Sequence, residues 1–218
     1  MKNPKIGASL LSLDFISFEE KILELKRCGI DFFHIDIMDG NFVPNLSFSS
    51  KFVESLKKIA PEIFFDIHFM VTEKAFFSII KQFTIFRPEY VTVHKEAISN
   101  LRYVKDMLKK DGIKMGIALN PETGIDSIKD SIDYLDLILL MSVKAGFGGQ
   151  KFINSTFQKI DGLLALKGSF LIEVDGGIDL DLSLKLKEKG VDLVVVGTNL
   201  LNSKDPESFI KKFRDSVV

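Results

Sequence analysis

The chain has 218 residues, with 29 Lys plus Arg against 30 Asp plus Glu and a formal net charge of −1, a balance that argues against nucleic acid or an anionic membrane as its partner. Hydrophobic residues make up 46%, enough for a sizeable core, which excludes a disordered chain. Cys28 is the one cysteine, which excludes an intrachain disulfide and a cysteine zinc cluster.

In chain order, Ile6–Leu11 is the first strand-like run. No long apolar stretch precedes Asp14, so no signal peptide is expected and the protein is expected to be cytoplasmic. Ser17 and Glu20 have capping-box spacing, and Phe18, Ile22, Leu25 and Cys28 form an inward helical stripe. Gly29 stands where that helix should end. Strand-like runs follow at Phe32–Ile37, Ile63–His68 and Tyr90–His94. Gly112 then closes a helix ahead of Ile113–Leu119. Asp136–Met141 comes next; Leu137 to Val143 is the longest apolar run, broken by Ser142 and too short to span a bilayer. Phe170–Val174 and Asp192–Val196 complete the set. A final helix starts at Asp205-Pro206, with Pro at its first position, and buries Phe209, Ile210 and Phe213. The starts of the eight runs lie between 22 and 34 residues apart, the length of a strand, a helix and two short loops. That is the βα unit of a parallel sheet. Eight such units predict an α/β fold, a (β/α)8 TIM barrel, with a doubly wound open sheet as the alternative. No linker or charge block divides residues 1–218, which read as one domain.

In such a barrel the chemistry lies at the carboxyl ends of the strands. The second strand carries His34, Asp36 and Met38 on one parity and Phe33, Ile35 and Ile37 on the other. The third run has Asp66, His68 and Met70 on one parity, and the seventh ends Glu173-Val174-Asp175. Fully buried parallel strands should be apolar throughout, so these polar residues require a reason. Two imidazoles and two carboxylates can make a four-ligand site for a divalent metal. They can equally satisfy one another by hydrogen bonds within the core. Glycines gather in the loops after the last three strands: Gly146-Phe147-Gly148-Gly149-Gln150, Gly176-Gly177 and Gly197-Thr198. Their backbone N–H groups suit a phosphate, and the alternative is that they only make tight turns.

These segments are together similar to the ribulose-phosphate 3-epimerase family along essentially the whole chain. The matching stretches are Ala8-Ser9-Leu10-Leu11-Ser12, His34-Ile35-Asp36-Ile37-Met38-Asp39-Gly40, Phe42-Val43-Pro44-Asn45 and His68-Phe69-Met70-Val71. They continue with Val93-His94-Lys95-Glu96-Ala97, Leu119-Asn120-Pro121-Glu122-Thr123, Met141-Ser142-Val143, the Gly146–Gln150 loop and Glu173-Val174-Asp175-Gly176-Gly177-Ile178. The resemblance implies a metal-dependent barrel of the ribulose-phosphate binding type. Its reaction would interconvert D-ribulose 5-phosphate and D-xylulose 5-phosphate in the pentose phosphate pathway. It implies that His34, Asp36, His68 and Asp175 bind one divalent metal per subunit, zinc first, with iron, manganese or cobalt as alternatives. Asp36 and Asp175 are then also the acid/base pair. Ser9, His68 and Asp175 contact substrate, together with Gly146, Phe147, Gly148, Gly149, Gly176, Gly177, Gly197 and Thr198. Met38, Met70 and Met141 shield the intermediate. The partner is a small sugar phosphate, with neither nucleic acid nor membrane, and the family implies a homo-oligomer, dimer or hexamer.

The physical logic agrees. Epimerisation at C3 removes a proton alpha to the C2 carbonyl and returns one to the opposite face, which needs two proton-transfer groups. Negative charge on the enediolate oxygens is what a divalent cation stabilises. Thioethers nearby exclude water and carry no proton, although Met38 and Met70 also suit an ordinary core.

Around these residues, Asp39 has the wrong parity for a ligand and is expected to orient a neighbour or cap its loop. Glu173 is expected to support a ligand histidine, and Asp66 to do the same beside His68. His94 either lines the pocket or is a satisfied structural histidine. Asn120-Pro121 shapes the fifth loop, and Lys144 either reaches substrate or is solvated. Against the family pattern, Ala8 replaces a Pro, Lys144-Ala145 replaces an Asn-Pro or Glu-Pro, and Thr198 replaces a Ser. Loss of the second Pro should leave the glycine loop less pre-organised. The rival readings are a sister epimerase acting on D-allulose 6-phosphate, a metal-free phosphate-binding barrel and a non-catalytic sugar-phosphate sensor.

Overall fold

The computed structural model describes residues 4–166 and 168–216. Eight strands pair in parallel in sequence order and close on themselves: β1 (Lys5–Ser9), β2 (Phe32–Met38), β3 (Phe64–Met70), β4 (Tyr90–His94), β5 (Lys114–Leu119), β6 (Leu137–Met141), β7 (Leu171–Asp175) and β8 (Leu193–Val196). The closing pair sets Ala8 opposite Val196, so the sheet is a barrel and the open alternative is excluded. Helices α1 (Phe18–Arg27), α2 (Ser50–Ile59), α3 (Glu73–Ile79), α4 (Lys81–Thr84), α5 (Leu101–Lys110), α6 (Thr156–Ala165), α7 (Leu180–Lys189), α8 (Thr198–Leu201) and α9 (Pro206–Asp215) complete the crossovers. None is long and apolar enough to cross a membrane.

The fifth crossover departs from the pattern, being a 3₁₀ helix over Ile125–Tyr134. Asp126, Ser127, Asp130, Ser131 and Asp133 crowd this segment with side chains that compete for backbone hydrogen bonds. Ile125 and Ile128 stand three residues apart, a spacing that suits the tighter turn.

Several helix ends follow their local chemistry. Gly29 and Gly112 take left-handed φ values of +84° and +72° after α1 and α5. Asp205 caps α9 by accepting from the Ser208 N–H, and Pro206 is its first residue, with Ile210 and Phe213 buried. Ser17 makes no capping hydrogen bond, so the expected box with Glu20 does not form. The preceding residues 15–17 are already a 3₁₀ turn capped by Asp14, which uses Ser17 as a turn residue.

Strand parity sorts the core. Phe33, Ile35 and Ile37 face outward into the layer shared with the helices, as does Ala8. The Pro-to-Ala departure at position 8 therefore lies on the side of β1 away from the barrel interior. Inside, Phe32, Tyr90, Leu137, Leu193 and Val195, with Phe64 and Leu171, plug the lower end. Above them the inward residues turn polar: His34, Asp66, Thr92 and Glu173, then Asp36 and His68, all buried.

Candidate active site

The registers of β2 and β3 decide which polar side chains meet. His34 lies opposite Asp66, and Asp36 opposite His68. Asp66 Oδ2 engages His34 Nδ1 at 2.7 Å and its other oxygen accepts from Thr92 Oγ1 at 3.1 Å. The pairing corrects the expectation that Asp66 would support His68, because pleated neighbours across a ladder touch more readily than neighbours two residues along one strand. Glu173 Oε1 stands 3.6 Å from the same His34 nitrogen, too far for a hydrogen bond, and both its oxygens lack a partner. One level up, Asp36 Oδ1 lies 3.0 Å from His68 Nδ1, while Asp36 Oδ2 accepts from Ser9 Oγ at 3.1 Å.

His34 Nε2, at 3.4 Å from Asp36 Oδ1, is buried and has no hydrogen-bond partner. A buried nitrogen without a partner is costly unless it binds something. Donor atoms of His34, Asp36, His68 and Asp175 all lie within 4.8 Å of one another. Two imidazole nitrogens and two carboxylates in one such group can hold a divalent metal ion. Mutual hydrogen bonding within the core therefore accounts for only part of the set.

The electrostatics split the two aspartates. Burial raises the Asp36 carboxyl, but the charge of His34 and contacts with both histidines outweigh it and hold the group well below the usual carboxylate range. Burial pushes Asp175 up to about 7, opposed by His34 and reinforced by Asp36 and Asp66. Burial, reinforced by Asp66, pushes Glu173 up to about 8. For His34, burial is outweighed by Asp36 and Asp66, which raise the imidazole well above its ordinary value. Burial draws His68 down to about 4.

A cavity of about 520 Å³ opens over this group. Ser9, Asp36, Asp175, Met70 and Met141 line its floor, and the loops carrying Gly146–Gly149, Gly176–Gly177 and Gly197–Thr198 line its wall. Met38 is buried beside Met70 and Met141 in one cluster with Val43 and Ala145, and of the three Met70 and Met141 line the cavity. Gly177 has a φ of +63°, and a Cβ there would lie 2.5 Å from the Gln150 carbonyl oxygen and 2.6 Å from the Phe152 nitrogen. Only glycine lets these two loops meet and leaves the backbone open to the cavity.

Several side chains brace the site from the loops around it. Gln150 Nε2 donates to the carbonyls of Lys144 and Phe147 at 2.7 and 2.8 Å, and Asn45 Nδ2 donates to the Gly146 carbonyl at 2.7 Å. The glycine loop is thus braced by side chains despite Lys144-Ala145, and the Lys144 side chain is exposed. Ser142 Oγ donates to the carbonyls of Asp175 and Gly176, tying the ends of β6 and β7 together. Ser12 and Thr198 share a hydroxyl contact of 3.0 Å across the β1 and β8 loops. Asp39 caps its own loop through the N–H groups of Asn41 and Phe42, and it accepts from Thr72 as well. His94 is fully buried, with contacts on both ring nitrogens. The Asn120 carbonyl in the fifth loop accepts from Lys159 Nζ.

The ribulose-phosphate 3 epimerase family matches residues 5–201. The ribulose-phosphate 3-epimerase of Bacillus subtilis (strain 168) is 36% identical over 217 residues, covering 97% of this chain and 99% of the relative. That of Helicobacter pylori (strain J99) is 37% identical over 205 residues, covering 92% of each chain. Among solved structures, KGPDC from Streptococcus mutans superposes with a TM-score of 0.71 at 17% identity, covering 98% of this chain and 97% of the other. The 3-hexulose-6-phosphate synthase from Salmonella typhimurium superposes at 0.70 and 16% identity, covering 96% of each. At that identity the two structures speak for the barrel alone. With a matched family spanning nearly all of the barrel and relatives above one-third identity, the chain belongs to the ribulose-phosphate 3-epimerase family and is an epimerase acting on carbohydrates.

Proposed function

We propose that the chain interconverts D-ribulose 5-phosphate and D-xylulose 5-phosphate, the pentose phosphate pathway reaction, with Asp36 and Asp175 as the two proton carriers. The observation that carries this reading is the convergence of His34, Asp36, His68 and Asp175 on one point, with Asp36 and Asp175 lining a glycine-walled cavity. The two aspartates come from β2 and β7 and reach the same floor from different sides of the barrel. Asp36 is held well below the usual carboxylate range while Asp175 is pushed up to about 7, so the two carboxyls differ in proton affinity. Transfer through an enediolate then reverses their roles with direction.

His34, Asp36, His68 and Asp175 would hold one divalent cation, zinc first, with iron, manganese or cobalt as alternatives. When bound, it supplies Lewis-acid stabilisation of the negative charge that develops on the substrate oxygens. Ser9 orients Asp36 through its hydroxyl. Backbone N–H groups of Gly146–Gly149, Gly176, Gly177, Gly197 and Thr198 would receive the phosphate, which fits a wall of open backbone. Met38, Met70 and Met141 would keep water from the intermediate.

The test is a coupled assay of kcat/KM on D-ribulose 5-phosphate beside D-allulose 6-phosphate, with metal-replete protein. A strong preference for the pentose phosphate is expected. Preference for the hexose phosphate would move the substrate to the sister epimerase and keep the chemistry. Inactivity on both by folded, metal-loaded protein would overturn the reading.

A further inference from the structure

The chain has three histidines, and His94 is the one to which the proposed chemistry gives no task. It ends β4, is fully buried and packs against Phe42 with ring centroids 4.7 Å apart. Its Nε2 lies 2.9 Å from Nε2 of His68, and its Nδ1 lies 3.1 Å from Glu96 Oε2. Glu96 is itself fixed, since Oε1 accepts from the Asn120 N–H at 2.9 Å and from the Thr123 hydroxyl. Burial raises the Glu96 carboxyl, but His94, Thr123 and Asn120 together bring it down to about 2, so it is an anion.

A carboxylate only accepts hydrogen bonds, so Glu96 favours the His94 tautomer with its hydrogen on Nδ1. A neutral imidazole has one N–H, which leaves Nε2 of His94 as a bare acceptor. The hydrogen between the two rings then belongs to Nε2 of His68. His68 is left with a lone pair on Nδ1, the nitrogen that lies 3.0 Å from Asp36 Oδ1 within the His34–Asp36–Asp175 group. By the same rule the Asp36 carboxylate at His68 Nδ1 favours the opposite arrangement, in which His68 carries its hydrogen on Nδ1, where it blocks a cation, and accepts at Nε2 from His94, whose Nδ1 then turns a lone pair to Glu96. Glu96 and Asp36 thus pull the two neutral rings in opposite senses.

We propose that Glu96, acting through His94, selects the His68 tautomer that offers Nδ1 to the metal. Glu96 and His94 are positioning residues: neither reaches the group of metal-ligand atoms, and each sets the state of the next. The inference rests on the metal reading above and extends it to a chain of contacts that leads from the site to the loop after β5. Partners of this kind orient ligand histidines and set their basicity.

The experiment is long-range 1H–15N correlation of the imidazoles in zinc-loaded wild type and in Glu96→Gln, with the zinc dissociation constant of each taken by chelator competition. Expected in wild type are His94 as the Nδ1–H tautomer and His68 bound through Nδ1 with its hydrogen on Nε2. In Glu96→Gln the amide no longer dictates the tautomer, and zinc affinity should fall by about 10- to 100-fold. A Glu96→Gln protein with unchanged tautomers and unchanged zinc affinity overturns the proposal while leaving the metal reading intact. Wild type that takes up no cation removes the metal reading and this proposal together. If Glu96→Gln does not fold, the wild-type spectrum decides alone: zinc on Nε2 of His68, or His94 as the Nε2–H tautomer, overturns the proposal.

Discussion

Asp66 and His34 face each other across β2 and β3, and their 2.7 Å contact fixes which edge of the imidazole is spent on the protein and which is left over. The spare edge, Nε2, turns toward Asp36 Oδ1 and has no hydrogen-bond partner. A carboxylate on the far side of a ligand histidine holds the ring in place and raises its basicity.

Asp175→Asn removes one proton carrier and keeps the shape of the side chain. Epimerase kcat should drop by about 10²- to 10⁴-fold, the usual worth of a general acid or base. Circular dichroism should be unchanged. A variant that keeps a substantial part of wild-type kcat would remove Asp175 from the chemistry.

Gln150→Leu deletes both braces on the glycine loop, at the Lys144 and Phe147 carbonyls. Each such bond contributes about 0.5–1.5 kcal/mol, so KM for the sugar phosphate should rise by roughly tenfold, with a smaller effect on kcat. Steady-state kinetics would show it. An unaltered KM would mean that Asn45 and the glycines hold the loop without Gln150.

Glu173 is a buried acid with two unpartnered oxygens, raised from 4.5 to about 8 in the folded chain. Between these values the folded state keeps a proton that the unfolded state releases, so rising pH favours unfolding. The contribution is fully present below about 4.5 and is lost as pH climbs through about 8. Glu173→Gln cannot ionise, so its stability relative to wild type should improve steadily across that window. Urea denaturation of chelator-treated protein at several pH values measures the difference; a constant gap between the two proteins would contradict the sign.

Lys187 is 7% exposed, and its Nζ donates to the carbonyls of Phe213, Arg214 and Ser216 at the end of α9. Lys187→Met keeps most of the packing and leaves those acceptors without their donor. With about 1–3 kcal/mol for an unsatisfied buried polar group, the loss should come to about 3 kcal/mol. At about 2–4 °C per kcal/mol for a chain of this size, Tm should fall by roughly 6–12 °C. Lys187 sits at the helix end that leads into the bottom of the barrel, so kcat at 25 °C should stay as in wild type.

How much of this could be read from the residues follows from the distance over which each signal acts. The strand alternation of His34, Asp36 and Met38 is local, so the inward face of β2 was legible from one short stretch. The glycine clusters after the last three strands were legible for the same reason. Cross-strand register is not local. That Asp66 serves His34, and not His68, depends on how β3 slides against β2, which no spacing within either strand reports. The His68–His94–Glu96 contacts need β3, β4 and the following loop in register together, and so escaped the same reading. Gln150 stands in the quoted glycine-loop motif, but its bracing role is not legible there because its partners are backbone carbonyls, which have no sequence signature. The Ser17–Glu20 box failed because the turn capped by Asp14 had already taken up Ser17.

Closure of β8 on β1 has a consequence for the chain as it is made. Lys5–Ser9 is made well before one of its two neighbours, Leu193–Val196. At about 5–20 residues per second, roughly 190 intervening residues keep that side of β1 unpaired for about 10–40 s. During this interval the nascent sheet has two open edges, each able to recruit a strand from another chain. The eighth strand removes both at once, so a message cut short before Leu193 should yield an aggregating fragment and not a smaller, weaker barrel.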